Sequence, residues 1–507
     1  MTKSKKEKKK RSFPSAFTVL FIVLVFAAVL TFVVPAGSYE RLQYDTEGDQ
    51  FIKIGINGEE TSLPATQEVL DEHKITIPLE SFKNQDIKKP VAIPGSYDNL
   101  EQRPQGFKEV VRAPIDGIAD SIGIIVFVLI LGGCIGVLNE TGTFDAGMAA
   151  LSKKTKGKEF IMVAIISSII ALGGTTFGLA EETIAFYPIL LPIFLASGFD
   201  AMVAIAAIYM GSSVGTMFST TNAFSVVVAS NAAGINFKTG LTIRIIALVL
   251  GQGLTLWYIY RYTKKVKKDP ALSVVAEDMP RIKKQYLDNY DPENVVSFNF
   301  RRIAMLILFV AAFPIMIYGV MELDWWFEEM STLFLVLGIA LIILSGLPEQ
   351  KAVGSFLNGA ADLVSVALII GVARGINIIL DDGMISDTML YNASNIIEGI
   401  NGVVFSSVQM ILFAFLGIFI PSSSGLATLS MPIIAPLADT VSIGRDVVVS
   451  AYNFGQGWMA IIAPTGLILA TLEMVEVSYN KWIKFILPLM GMLLVLALVM
   501  LGVQTVF

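Results

Sequence analysis

Three charged side chains interrupt the apolar runs of this 507-residue chain: Glu181, Glu182 and Arg374. An ionisable group within a membrane-length segment is costly enough to read as functional. The two glutamates directly follow Gly173-Gly174-Thr175-Thr176-Phe177-Gly178, a stretch that breaks an apolar run. A cavity-facing carboxylate at that place suits the ammonium or guanidinium of a ligand, or carries a coupling proton. Its neighbour, about 100° further around a helix, pairs elsewhere. Arg374, inside Ile369 to Leu380, carries a fork of donors that suits a carboxylate. The same fork equally suits a structural pair with a glutamate or a hairpin carbonyl.

Small and oxygen-bearing residues surround these charges. The break at 173–178 exposes backbone groups and a helix amino terminus, whose positive end favours an anion. Pro421-Ser422-Ser423-Ser424-Gly425 stands at the matching place of the second half, and both stretches read as tips of re-entrant helical hairpins. Small-residue packing between helices is the plainer alternative. A second pair of breaks is expected at Gly211-Ser212-Ser213-Val214-Gly215, leading to Ser219-Thr220-Thr221-Asn222, and at Asn453-Phe454-Gly455-Gln456-Gly457, leading to Pro464-Thr465-Gly466. Unwound carbonyls with Ser, Thr and Asn oxygens are ligands that sodium accepts; they also satisfy a broken helix by hydrogen bonding. Asp120 and Asp362 are expected near helix starts, complementing the dipole.

The elements that must hold these residues follow from composition. The chain is 54% apolar and 16% charged, against about 25% charged in soluble proteins. Runs such as Phe13 to Pro35, Ile122 to Leu138, Ile303 to Val320 and Phe485 to Val503 approach the roughly 20 apolar residues that span a bilayer. About 11 to 13 membrane segments are expected. Lys3, Lys5, Lys6, Lys8, Lys9, Lys10 and Arg11 precede a run too long for a signal core, which reads as a retained first helix with its amino terminus in the cytoplasm. The same bias puts Lys153 to Lys158 and the linker from Arg261 to Arg302 inside. Residues 36–112 are polar and rich in turn signals; with alternation at Ile75-Thr76-Ile77 they read as a small external subdomain with short strands. The single cysteine, Cys134, excludes an intrachain disulfide and reads as core packing. The single histidine, His73, lies in the polar stretch, which removes histidine from any intramembrane proton relay.

An internal repeat organises the chain. Gly117, Asp120, Gly133, Leu138, Gly142 and Asp145 are echoed by Gly359, Asp362, Gly375, Leu380, Gly383 and Asp387, mostly at an offset of 242. Gly178, Pro188 and Pro192 correspond to Gly425, Pro432 and Pro436, and Gly211 with Thr221 to Gly455 with Thr465. Counting crossings from a cytoplasmic start, equivalent helices run in opposite directions, an arrangement recurrent in secondary transporters. The expected fold is an all-α polytopic membrane protein of two inverted-topology repeats with re-entrant hairpins and broken helices. Its divisions are a basic cytoplasmic tail (1–12), a first repeat (13–262) containing the external subdomain, a cytoplasmic linker (263–300), and a connecting helix with the second repeat (301–507).

Phe13-Pro14-Ser15-Ala16-Phe17, Val34-Pro35-Ala36-Gly37, Gly173 through Thr183, Ser219 through Asn222 and Asn453 through Gly457 together resemble the YfcC family, relatives of the DcuC-type carriers in the ion transporter superfamily. The resemblance covers nearly the whole chain. It implies a homodimer built on a scaffold, an elevator-like transport domain, and substrate and sodium held at hairpin tips and the breaks after them. The positions that correspond are Thr175, Thr176, Thr221, Asn222, Ser423, Ser424, Pro464 and Thr465. With the charges included, the expected substrate residues are Thr175, Thr176, Glu181, Glu182, Asn222, Arg374, Ser423, Ser424, Asn453 and Thr465. The expected ion ligands are Thr175, Ser219, Thr220, Thr221, Asn222, Ser422 and Pro464. The coupling ion stays open between Na+ and H+, and no other metal or cofactor is expected. The expected activity is secondary transport across a bacterial cytoplasmic membrane. An amino acid exchanged, such as arginine for ornithine, fits paired glutamates better than a C4-dicarboxylate does, and both stay in play. A channel would need weak multiple sites along a pore. An enzyme would need a histidine base that Ser422 to Ser424 lack, and nothing points to nucleic acid.

Overall fold

The computed structural model describes residues 15–84, 87, 89–143, 146, 158–176, 178–287, 299–323, 325–397, 402–441 and 443–506. The tail 1–12, Asp145, residues 153–157, Phe177 and linker residues 288–298 lie outside the described residues.

Apolar run length sets the helices. The first run gives α1 (Ala16–Val33), opened by Ser15, whose hydroxyl accepts from the Thr18 amide. Polar chain follows, in which β1 (Gly37–Ser38) pairs with β6 (Asp98–Asn99). A second antiparallel sheet has the order β4-β3-β2-β5, made from Arg41–Asp45 (β2), Gln50–Ile54 (β3), Glu60–Pro64 (β4) and Val91–Ala92 (β5). Two short helices, α2 (Gln67–Glu72) and α3 (Leu79–Lys83), close over a core of Leu42, Phe51, Leu70, Ile77 and Phe82. Ile75-Thr76-Ile77 is not a strand: its alternation comes from an irregular segment that buries both isoleucines and exposes Thr76. The polar range 36–112 also runs into the next helix, which starts at Phe107.

The two halves then repeat one series of elements. A 14-residue helix and a 19-residue apolar helix, separated by a single residue, occur as α4 (Phe107–Asp120) with α5 (Ile122–Glu140). They recur as α14 (Glu349–Asp362) with α15 (Val364–Asp382). Asp120 and Asp362 therefore close α4 and α14 instead of opening helices, a correction forced by the one-residue breaks at Ser121 and Leu363. Hairpins follow: α6 (Glu159–Thr176), a 3-10 turn (Glu181–Phe186) and α7 (Tyr187–Ala196), against α17 (Gly402–Phe419) and α18 (Ser423–Thr440). Each is followed by an interrupted helix. In the first half this is α8 (Ala201–Met217), a π turn (Ala223–Val227) and α9 (Val228–Ala232). In the second it is α19 (Arg445–Ala460) and α20 (Ile468–Met474). Long helices α10 (Leu241–Lys268) and α21 (Tyr479–Val506) finish the halves. Between them lie α11 (Met279–Leu287), α12 (Phe300–Glu322) and α13 (Phe327–Ser345). The helix α16 (Ser386–Ile397) joins α15 to α17.

Among the described residues, seven helices are long and apolar enough to cross a membrane. Their outer stripes fit lipid: Ile161, Ile165, Ile169 and Leu172 on α6 are all exposed, at helical spacing. Inside, α4 packs on α15 and α5 on α14, a reciprocal exchange between the halves. Glycine permits it, because a Cβ on Gly117 would stand 2.2 Å from the Gly371 carbonyl, and one on its repeat mate Gly359 2.3 Å from the Gly132 carbonyl. Cys134 is fully buried in this frame, its thiol directed at the Phe334 carbonyl.

Candidate substrate and ion site

The first hairpin tip forms where α6 stops at Thr176 and Gly178, at φ +79°, turns the chain back. The break it meets is later than the sequence indicates. α8 runs unbroken through Gly211-Ser212-Ser213-Val214-Gly215 and ends at Met217, so the interruption is Phe218 to Asn222. Gly211 and Gly215 instead let α8 lie against α6, where their Cβ atoms would meet the carbonyls of Ser167 and Ala171. The same holds for Gly455 and Gly457 inside α19, whose interruption is residues 461–467. Small-residue packing accounts for those glycines.

Tip and break are stitched together by the expected oxygens. The Thr175 hydroxyl accepts from the Thr220 amide at 2.9 Å and lies 3.1 Å from the Thr220 hydroxyl. The Thr175 carbonyl accepts from the Thr221 amide at 3.1 Å. Asn222 donates to the Gly174 carbonyl at 3.2 Å and accepts from the Phe224 amide at 2.8 Å, capping the π turn. Ser219 pairs with Ser225 at 3.0 Å. Thr176 donates back to Leu172 in its own helix, and the Thr221 side chain faces outward. Thr175, Thr220, Asn222 and Ser219 are buried; hydroxyls and carbonyls thus crowd one place, each already engaged with another.

Glu181 and Glu182 open the 3-10 turn beside this cluster, about 120° apart at three residues per turn. The Glu182 carboxylate accepts from the Ala180 amide at 3.1 Å. Both side chains are half-buried, and the turn packs on α5, α8 and α20. Among the described residues neither glutamate has a cation within ion-pair distance.

The second tip repeats the pattern with other residues. Ser422 caps α18, accepting from the Gly425 amide at 3.1 Å. Thr465 donates to the Ile418 carbonyl at 3.3 Å, so tip and break meet again. Pro464 lies in that break. The Ser423 carbonyl accepts from Tyr452 at 2.6 Å, and the Pro421 carbonyl from Gln456 at 3.3 Å. Asn453 is an interior residue of α19, donating to Val449 of its own helix, and is not part of a break. Ser424 accepts from Thr428 through its carbonyl. The two interrupted helices cross: Gly457 lies against Met217, and the Phe218 and Phe454 rings stand 4.9 Å apart.

The Arg374 guanidinium lies on the Asp120 carboxylate, with side chains 40% and 49% exposed. The pair spans the α4–α15 contact, and the cation offsets a carboxylate that the end of α4 sets against the helix dipole. Sequence reasoning missed Lys89, Tyr452 and Gln456. Tyr452 and Gln456 are one turn apart on α19, a spacing legible beside the Asn453–Gly457 motif; Lys89 carries no local signal, because it arrives from the polar subdomain. A cavity of about 370 Å³ between α5 and α13 is lined mainly by apolar chains, and no candidate residue lines it.

A Haemophilus influenzae (strain ATCC 51907 / DSM 11121 / KW20 / Rd) protein described as uncharacterized is 48% identical over 98% of both chains. YfcC of Escherichia coli (strain K12), provisionally named a basic amino acid antiporter, is 29% identical over 97% of this chain and 96% of its own. Among solved structures, Neisseria gonorrhoeae MtrF, from a class of antimetabolite efflux pumps, is 14% identical over 98% of this chain and 96% of its own, with a TM-score of 0.38. The Alcanivorax borkumensis YdaH transporter is 14% identical over 97% and 98%, also at 0.38. The family model described as DcuC, C4-dicarboxylate anaerobic carrier, matches residues 13–506, and the chain belongs to that family of membrane transporters.

Proposed function

We propose that the chain is a secondary active transporter that exchanges amino acids with a cationic end, of the arginine and ornithine type, by alternating access. The observation that carries this reading is the pair Glu181 and Glu182: two half-buried carboxylates at the first tip with no cation among the described residues. A buried charge is normally paired, so a substrate ammonium or guanidinium is the missing partner. Its carboxylate is assigned to the second tip, Ser422 to Ser424 at the start of α18, since Arg374 is engaged by Asp120. The family description favours a second reading, a sodium- or proton-coupled C4-dicarboxylate carrier. In that reading the glutamates carry protons and the Thr175, Thr220 and Asn222 oxygens hold Na+.

The repeated element series and reciprocal glycine contacts support two inverted repeats, with α4, α5 and α13 to α15 as a fixed frame and the hairpins with their interrupted helices as an elevator. A homodimer through the frame, a cytoplasmic amino terminus and an external subdomain belong to the same reading. Counterflow in proteoliposomes preloaded with unlabelled substrate tests it, comparing labelled arginine with labelled fumarate, with and without a sodium gradient. Arginine counterflow independent of sodium is expected. Fumarate counterflow with no arginine uptake would overturn the amino acid assignment in favour of the carboxylate carrier.

A further inference from the structure

The polar segment between α1 and α4 is bolted to the frame at both ends. Gln102 donates to the Thr31 and Val34 carbonyls at 2.7 and 2.9 Å, and the Gln105 amide to the Thr31 hydroxyl at 2.8 Å. Both flanking helices pack on α15. The segment also grips α16, the arm between frame and second hairpin. Asp387, with its side chain 5% exposed, accepts from the Tyr39 amide at 3.0 Å and from Arg41 at 3.1 Å. Tyr97 pairs with Thr388 at 2.8 Å and stacks on Tyr391 with centroids 4.2 Å apart.

From this anchor the segment reaches over the second tip. Lys89 donates to the Ser422 hydroxyl at 3.3 Å, and β5 lies on α18. The Thr76 hydroxyl accepts from Arg445 at 2.8 Å; Arg445 opens α19 and also holds the Ala233 carbonyl and Asp439. One small subdomain thus joins the frame, the arm and both ends of α18, its start at Ser422 through Lys89 and its far end through Arg445, which also holds Asp439. Lys89–Ser422 and Thr76–Arg445 are exposed polar contacts, which contribute little; beside them the buried Val91 and Ala92 of β5 pack on α18, whereas the anchor is a buried carboxylate with several donors.

We propose that residues 37–99 are a latch that holds the second tip shut on its membrane face and must release α18 and α19 in every transport cycle. Thr76–Arg445, Lys89–Ser422 and the packing of β5 on α18 are the contacts that open; Asp387 is the anchor that does not. The inference rests on the alternating-access reading.

Two measurements test it in a Cys134→Ala background, which removes the only native thiol. In the first, Thr76→Cys and Arg445→Cys are joined by a short bismaleimide in proteoliposomes. Counterflow of the linked protein is expected to fall at least tenfold below the same unlinked protein. Equal rates would show that the tip moves without the latch opening and would overturn the proposal. The second does not depend on transport. A reporter Ser424→Cys is labelled by a membrane-impermeant maleimide supplied on the face that carries the subdomain, with and without Asp387→Ala. Loss of the anchor is expected to raise the labelling rate at least fivefold, and an unchanged rate would overturn the latch. Wild-type protein without counterflow of any substrate would remove the transport reading alone, because the labelling result stands separately.

Discussion

Two glycines on one helix should respond oppositely to the same methyl group. In α14, a Cβ on Gly359 would lie 2.3 Å from the Gly132 carbonyl, 2.7 Å from Gly136 Cα and 2.8 Å from the Gly136 nitrogen, all backbone atoms. Ordinary contact begins at 3.4 Å, and no rotamer change can relieve it, so α14 and α5 must part by roughly 1 Å. Overpacking of this kind costs about 1–3 kcal/mol, against a helix-propensity gain of about 1 kcal/mol for Gly→Ala. Gly354→Ala, one and a half turns earlier, meets nothing within 4 Å and keeps only the propensity gain. Because both substitutions change the unfolded chain alike, that term cancels in the comparison. Gly359→Ala is therefore expected to unfold at lower SDS fraction than wild type, and Gly354→Ala at higher, with a difference of about 1–3 kcal/mol between them. Titration of purified protein in mixed micelles, followed by far-UV circular dichroism, reads both midpoints. The repeat supplies a control: Gly117→Ala, at 2.2 Å from the Gly371 carbonyl and 2.5 Å from the Gly375 nitrogen, should behave like Gly359→Ala. Equal midpoints for Gly354→Ala and Gly359→Ala would refute the close helix crossing.

Glu182→Gln and Glu181→Gln separate the two glutamates: the one that holds the substrate cation should lose at least tenfold in arginine counterflow, about 1.4 kcal/mol, and full transport by both variants would end that role. Arg374→Ala should leave substrate affinity unchanged and cost no more than about 1 kcal/mol of stability, as its pair with Asp120 is substantially exposed; a tenfold rise in half-saturation would return Arg374 to the site. Tyr262→Phe removes a 2.6 Å hydrogen bond to the buried Asp200 carboxylate that caps α8, with an expected loss of about 1.5–3 kcal/mol in the same SDS titration. An unchanged midpoint would mean that Ser273, also 2.6 Å from Asp200, suffices alone.

What the sequence displayed and what it hid divide along one physical line. The run lengths, the repeated order and the hairpin tips were legible, because apolar length and an offset of 242 are properties of the chain itself. The breaks were misplaced by a few residues because glycine serves two opposite ends. It loosens a helix, and it lets two intact helices touch. Gly211 and Gly215 looked like the first and are the second: the carbonyls of Ser167 and Ala171 fill the space where side chains would stand. What interrupts α8 is the polar run after it, Ser219 to Asn222, whose Thr220 and Asn222 side chains compete with the ladder for backbone groups and donate to the Thr175 and Gly174 carbonyls of the neighbouring tip. Asp120 and Asp362 were misread for a related reason, since a one-residue break between two helices leaves no composition signal and a start cannot be told from an end. Arg374 follows from that error. Asp120 and its repeat mate Asp362 both close their helices, but the repeat mate of Arg374 is Gly132, and among the described residues only the Asp120 end of the frame carries such a pair. That asymmetry separates the two faces of an otherwise repeated frame, and the paired end is the one over which the polar subdomain brings Lys89 near Arg374.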